Sequence, residues 1–291
     1  MNNISFDLSG KIDQQTTDAL ALVKDAADSL EIPFFIIGAT ARDMILTHCY
    51  GIQTIRMTKD IDLGVEIEDW ARFDRLKEFL LSTGRFVAGP QAYRLIYGSL
   101  PLDIVPFGKI SDQKGQIIWP PEHDIFMSLV GFKEAYEYSI LVRLSSDPDL
   151  DIRLPTLPGL AIMKLISWKD KYPERKTDAD DLLFIMQKYE AAGNTDRLYE
   201  TEQDLLEEEG FDVTNASIRM LGRDMAIMAD PGTLTIVRTI LKEETKEDSR
   251  YRLAADMTSG NVYPGADFEY VLSQLGKLRK GFAEASEGRQ Y

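Results

Sequence analysis

The sequence predicts an α+β fold, a mixed sheet with helices over the first half followed by an all-helical lobe, and three observations carry that prediction. Up to about residue 150, short apolar runs bounded by glycine and proline alternate with helical periods. From Leu157 onward the apolar residues recur at three- and four-residue intervals in every long segment. Between the two textures lies Ser145–Arg153, SSDPDLDIR, a polar stretch that reads as a junction and divides the chain into domains of residues 1–150 and 151–291. A chain of 291 residues suits two lobes, because single cores stop growing near roughly 250–300 residues.

The elements follow in order. Residues 13–30 place Ala19, Leu22, Val23, Ala26, Ala27 and Leu30 at helical spacing, and Pro33 ends that helix. Phe34–Ile37 is a short apolar run of β-formers, so it reads as a buried strand that turns at Gly38 into a helix over 40–47. In residues 60–67, DIDLGVEI, a period of two puts Asp60, Asp62 and Glu66 on one face and Ile61, Leu63, Val65 and Ile67 on the other. A helix near 69–82 follows, then β-like stretches near 92–97, 100–107 and 138–144. The second half reads as helices at 157–170, 177–190, 195–208, 214–228, 233–243 and 265–282, with Glu207–Glu209 as a solvated helix end.

Composition narrows the function. Hydrophobic residues at 44% and charged residues at 28% are those of a packed globular chain rather than a disordered one. The start MNNISFDLSG has no basic region or apolar run, and nothing approaches the ~18 apolar residues of a membrane span, so the chain reads as cytoplasmic with no membrane partner. Cys49 is the single cysteine and reads as a packing residue; a disulfide within the chain or a multi-cysteine zinc site is excluded. The net charge of -15 repels nucleic acid on average, so an RNA would have to meet a local basic patch. A nucleotide held through a divalent ion escapes that restriction, since the ion supplies the positive charge.

Asp60-Ile61-Asp62 sets two carboxylates on one side of a strand, about 7 Å apart along the backbone. Such like charges repel unless a cation lies between them, which makes the pair a candidate site for Mg2+ or Mn2+, although an acidic D-x-D on the wet face of an edge strand is also common. Upstream, Gly38-Ala39-Thr40-Ala41-Arg42-Asp43 leads a buried strand into a helix N-terminus, where free N–H groups and the helix dipole favour phosphate. Downstream, Asp103 stands inside the apolar strand Leu100–Val105, where an unpaired carboxylate is costly; it is read as a third metal ligand, or else as the partner of a salt bridge or a strand-end cap. Lys59, before the D-x-D, either touches phosphate or faces solvent. Arg42 and Asp43 read as local support, His48 and His123 as isolated, and Asp147, Asp149 and Asp151 as a turn.

The ordered set of an apolar strand, G-A-T-A-R-D, K-D-I-D-L and L-D-I-V resembles the nucleotidyltransferase superfamily of DNA polymerase β. Within it, Ile36–Leu63 looks like the head of the tRNA nucleotidyltransferases, with a single Gly38 followed by Ala39 where many members carry a second Gly or Ser, and without the longer motifs of the CCA-adding enzymes. The helical run Leu157–Trp168 with Lys164, then Arg175–Asp178 and Asp181-Leu182, is similar to the AbiEii-like nucleotidyltransferases of toxin–antitoxin and phage-defence systems. The resemblance implies a polymerase β-like mixed sheet and attack of a hydroxyl on the α-phosphate of a nucleoside triphosphate, with two metal ions at Asp60, Asp62 and Asp103 and Asp103 as a possible general base. It implies β- and γ-phosphates cradled by Gly38, Ala39 and Thr40, a triphosphate contact from Lys164 unless that lysine runs out to water, and a contribution of Asp178 and Asp181 to the cleft. A cognate antitoxin is an implied partner. An RNA 3′ end is the favoured acceptor, through Lys164, Lys169, Lys171, Arg175 and Lys176, with a protein or small-molecule hydroxyl as alternative and a non-catalytic nucleotide-sensing or partner-binding module as a reading of another class.

Overall fold

The structure is a computed structural model that describes residues 4–54, 58, 60–120, 126–260 and 266–287. The chain is α+β and divides into two compact units, Met1–Thr156 and Leu157–Tyr291.

The first unit opens with β1 (Phe6–Asp7) and α1 (Gln14–Ser29), whose buried residues Ala19, Leu20, Val23, Ala26 and Ala27 repeat at helical spacing. The side chain of Asp13 accepts from the Thr16 amide at 2.9 Å and so satisfies one of the donors left open at that helix start. Next come β2 (Phe34–Ile37) and α2 (Gly38–Asp43), which continues as a π-helical turn over Met44–Cys49. The strand β3 (Ile61–Glu66) is followed by α3 (Trp70–Ser82), β4 (Phe86–Ala88), β5 (Arg94–Tyr97) and β6 (Leu100–Phe107). These strands form one five-stranded sheet in the order β2-β3-β6-β5-β4, with β3 and β6 parallel at its centre and the other pairs antiparallel. The alternation expected for residues 60–67 is realised: Ile61, Leu63 and Val65 are buried, each worth about 1.5–3 kcal/mol when removed from water, while Asp62 is half-buried on the opposite face.

The rest of the unit is β7 (Gln116–Ile118), β8 (Phe126–Ser128), α4 (Phe132–Glu137), β9 (Ile140–Ser146) and β10 (Asp149–Leu154). Here the structure corrects the sequence reading. Ser145–Arg153 is not a junction: β9 and β10 pair antiparallel across a turn at Asp147-Pro148, and β1 joins them as a three-stranded sheet. The acidic residues at 149 and 151 belong to this hairpin, where Arg143 pairs with both at 2.9 and 2.8 Å. Cys49 is half-buried, and its burial pushes the thiol up to about 11, as a packing residue requires.

The second unit is helical: α5 (Leu157–Asp170), α6 (Lys176–Lys188), α7 (Thr195–Glu200), α8 (Gln203–Glu208), α9 (Val213–Met228), α10 (Pro231–Thr245), α11 (Arg252–Ser259) and α12 (Phe268–Glu287). The helix expected over 195–208 is two, broken after Glu200, and α11 went unread. Helices α9 and α12 cross backbone to backbone, since a Cβ at Gly222 would overlap the Leu278 carbonyl and one at Gly281 the Arg219 carbonyl. Beside that crossing, the buried Arg219 meets Glu284 at 2.5 Å, Glu208 at 2.7 Å and Glu209 at 3.1 Å. The Glu207–Glu209 run does end α8 with Glu207 and Glu208 exposed, but the Glu209 side chain is enclosed and ion-paired by Arg219 and Lys277, which stand far along the chain on α9 and α12.

Candidate active site

The sheet register gathers the acidic residues. Ile37 of β2 pairs with Asp62 of β3, Asp62 with Asp103 of β6, and Asp103 with Arg94 of β5, so one row crosses four neighbouring strands. Asp60 precedes β3 by one residue and lies on the Asp62 side of the alternation. Asp60, Asp62 and Asp103 each offer a carboxylate oxygen within 4.8 Å of the other two. Asp103 is buried, and Asp60 and Asp62 are half-buried.

Gly38 closes the row on the β2 side. Its φ of +69 is a left-handed value that glycine adopts without penalty, and a Cβ there would overlap the Asp62 carboxylate. The chain thus turns from β2 into α2 directly against the acidic group. Ala39 and Thr40 are buried in the first turn of that helix, and the Thr40 hydroxyl donates to the Asp60 carbonyl at 2.6 Å. Thr40 therefore fixes the backbone of a triad member, a role the sequence did not suggest. The Thr58 hydroxyl donates a short hydrogen bond to the Asp60 carboxylate. Lys59 lies outside the described residues, as does His123. Arg42 donates to Asp43 at 2.6 and 2.9 Å, the local pairing that was expected.

The residue that sequence reasoning missed is Arg94. Its Nε and Nη2 donate to the two oxygens of Asp103 at 2.6 and 2.7 Å, and Nη2 stands 3.5 Å from Asp60. The hydrogen bonds it donates to Asp103 push this guanidinium above its usual range, against the opposing effect of burial. Among the described residues, Arg94 pairs with Asp103 and stands near Asp60, and a divalent ion would add positive charge where the three carboxylates converge. The donor set suits it, because Mg2+ and Mn2+ prefer hard oxygen ligands and a span of a few ångströms between carboxylates is what a shared ion bridges.

The second unit holds a different cluster. Lys164 on α5 is buried, and its ammonium group meets Asp178 at 2.8 Å and Asp181 at 2.7 Å, both on the first turns of α6. The Ser167 hydroxyl donates to the other oxygen of Asp178 at 2.7 Å. Burial works against the Lys164 charge, yet the two carboxylates outweigh it and hold the ammonium group above its ordinary range. Lys164 neither runs out to water nor stands open: a phosphate would have to compete with two carboxylates for it.

Much of the basic stretch around Lys164 is likewise paired within its own unit. Lys169 pairs with Glu243 at 2.9 Å and Lys176 with Asp256 at 3.1 Å, and Asp256 also accepts from Trp168 at 3.0 Å. The expected positive wall of Lys164, Lys169, Lys171, Arg175 and Lys176 is corrected accordingly, since long-range acidic partners cancel most of it.

Among the described residues, no helix is long and apolar enough to cross a membrane. No curated protein matches the chain. Among solved structures, the antibiotic-resistance factor ANT(2'')-Ia in solution is 14% identical, with 68% of this chain and 98% of that chain covered and a TM-score of 0.35. A CCA-adding enzyme in complex with ATP is 15% identical, with 91% and 67% covered and a TM-score of 0.32. The CdnE c-UMP-AMP synthase of Rhodothermus marinus is 11% identical, with 96% and 94% covered and a TM-score of 0.28. The model of the nucleotidyl transferase AbiEii toxin of type IV toxin–antitoxin systems matches residues 21–272, nearly the whole chain, and the protein belongs to that nucleotidyltransferase family.

Proposed function

We propose that the chain transfers a nucleoside monophosphate from a nucleoside triphosphate to a hydroxyl at an RNA 3′ end, releasing pyrophosphate, with divalent metal held by Asp60, Asp62 and Asp103. The observation that carries this reading is the convergence of three carboxylates within 4.8 Å, Asp62 and Asp103 in register and Asp60 just before β3, with the backbone of Gly38 against Asp62 and Arg94 paired to Asp103. When bound, two Mg2+ or Mn2+ ions would lower the pKa of the attacking hydroxyl and neutralise the triphosphate.

The chain's own groups do the rest. Asp60 and Asp62 would hold the metal, and Asp103 would join them or take the proton of the hydroxyl through lone pairs that Arg94 leaves open. Arg94 fixes the plane of the Asp103 carboxylate. The Gly38–Thr40 backbone offers its N–H groups to the β- and γ-phosphates at the start of α2, while the Thr40 hydroxyl holds Asp60 in place. Lys59 is retained as a phosphate contact on the sequence argument alone. Lys164 is the weaker candidate for that duty, given its two carboxylate partners.

The likeness of Ile36–Leu63 to the tRNA nucleotidyltransferases supports RNA as the acceptor. The net charge of -15 favours the second reading, a protein or small-molecule hydroxyl. A cognate antitoxin is proposed as a partner from the family description. The deciding experiment supplies each α-labelled triphosphate with Mg2+ and cell extract. Label in an RNA band supports the first reading, and label in protein or metabolite the second. Failure to release pyrophosphate from any triphosphate would leave only the non-catalytic module.

A further inference from the structure

The neutralised lysines of α5 and α6 leave open which surface would meet the RNA, and an unbalanced positive surface lies elsewhere in the second unit. A groove of about 740 Å³ between α10 and α12 is lined by Arg238, Lys242, Lys277, Arg279 and Lys280, with Glu284 its single acidic residue. Glu284 is committed to Arg219 and Arg223. Lys277 and Lys280 share Glu208 and Glu209 with Arg219. Arg238, Lys242 and Arg279 are exposed and make no ion pair among the described residues. Arg238 and Lys242 are four residues apart on one face of α10, where like charges repel and an isolated helix gains nothing from them.

We propose that this groove binds the phosphate backbone of the RNA, in place of the lysine-rich stretch of α5 and α6; the proposal rests on the RNA acceptor reading. The chemistry favours RNA over an acidic protein. Protein interfaces draw on apolar and aromatic anchors at their centre and are poor in lysine, whereas the large apolar side chains here, Leu241 and Phe282, are buried beneath the groove and leave its cations outermost. Flexible, solvated cations without an apolar anchor suit a polyanion read through its backbone rather than its sequence.

The test is fluorescence anisotropy of a dye-labelled, tRNA-sized RNA with the full chain over a range of salt. With three to five phosphates neutralised, affinity should fall by roughly one to two powers of ten between 50 and 200 mM salt. Reversing the three unpaired charges, Arg238→Glu with Lys242→Glu and Arg279→Glu, should lower affinity at least tenfold and flatten that dependence. The Gln versions should give a smaller loss, and Lys169→Glu with Arg175→Glu should change little. An unaltered affinity and salt slope in the triple variant, no RNA binding by the parent chain, or tighter binding of a polyglutamate peptide than of RNA would each overturn the proposal. The two readings separate cleanly. RNA bound through the groove but never labelled from α-labelled triphosphate defeats the acceptor reading and supports the groove. RNA labelled and bound equally by parent and triple variant defeats the groove and leaves the acceptor reading standing.

Discussion

Each unit concentrates carboxylates around a basic residue, and the two clusters differ in exposure. In the first, Asp60, Asp62 and Asp103 converge within 4.8 Å, two of the three acids are half-buried, and Arg94 pairs with Asp103 and stands 3.5 Å from Asp60. In the second, Asp178 and Asp181 enclose Lys164 with Ser167 beside them, all but the serine are buried, and every charge has a partner within 2.8 Å. A closed, satisfied cluster costs too much to open for a ligand and ties helices together, whereas half-buried carboxylates crowded together remain accessible to a cation. By this criterion we propose the first as the site and read the second as a brace within the helical unit.

The sharpest way to break that distinction is at the acids. Asp62→Asn or Asp60→Asn should lower nucleotidyl transfer about 10³-fold or more, measured as pyrophosphate release, while the melting temperature holds or rises as repulsion is relieved. Unfolding of either variant would make the triad structural after all. Next in size is Lys164→Ala, which strands two buried carboxylates and should cost about 3–5 kcal/mol by urea denaturation. A stable Lys164→Ala protein that has lost triphosphate affinity would reverse the roles of the two clusters.

Arg94→Met tests the counter-ion. Without divalent metal the variant should melt lower than the parent, by roughly 2–4 °C for each kcal/mol in a unit of this size, and added Mg2+ should raise its melting temperature by more than it raises the parent's. Equal metal responses would mean that Arg94 and the ion do not share a field. The smallest effect concerns pH. Because the folded protein holds the Lys164 ammonium above its ordinary range, the stability it contributes is complete below the unfolded lysine value and is lost only as pH rises through the higher folded one. Stability should therefore be insensitive to this group from neutral to mildly alkaline pH, and a melting temperature that fell there in the parent but not in Lys164→Met would contradict it.

What the sequence disclosed depended on how far apart the interacting residues stand. Phe34–Ile37, the alternation at 60–67 and the apolar strand around Asp103 were legible because period and burial are local properties. Both alternatives weighed for Asp103 meet in one place, since it joins the acidic group and forms a salt bridge. Arg94 was not legible, because its meeting with Asp103 follows from the hairpin register of β5 and β6 and not from any spacing motif. The lysines of α5 and α6 looked like a basic patch because Glu243 and Asp256, their partners, lie far along the chain. The hairpin at Asp147-Pro148 was hidden by a polar composition that a linker shares.

The row from Ile37 through Asp62 and Asp103 to Arg94 also has a kinetic consequence. Asp62 and Asp103 are held by the hydrogen-bond ladder of the two central strands, so their mutual geometry is lost by an opening that separates β3 from β6. Backbone amides along this row should exchange with deuterium at the rate set by the least frequent openings of the first unit, equally with and without triphosphate. The carboxylates would then be pre-assembled before any substrate is met, and the slow steps of turnover would belong to the acceptor and to product release.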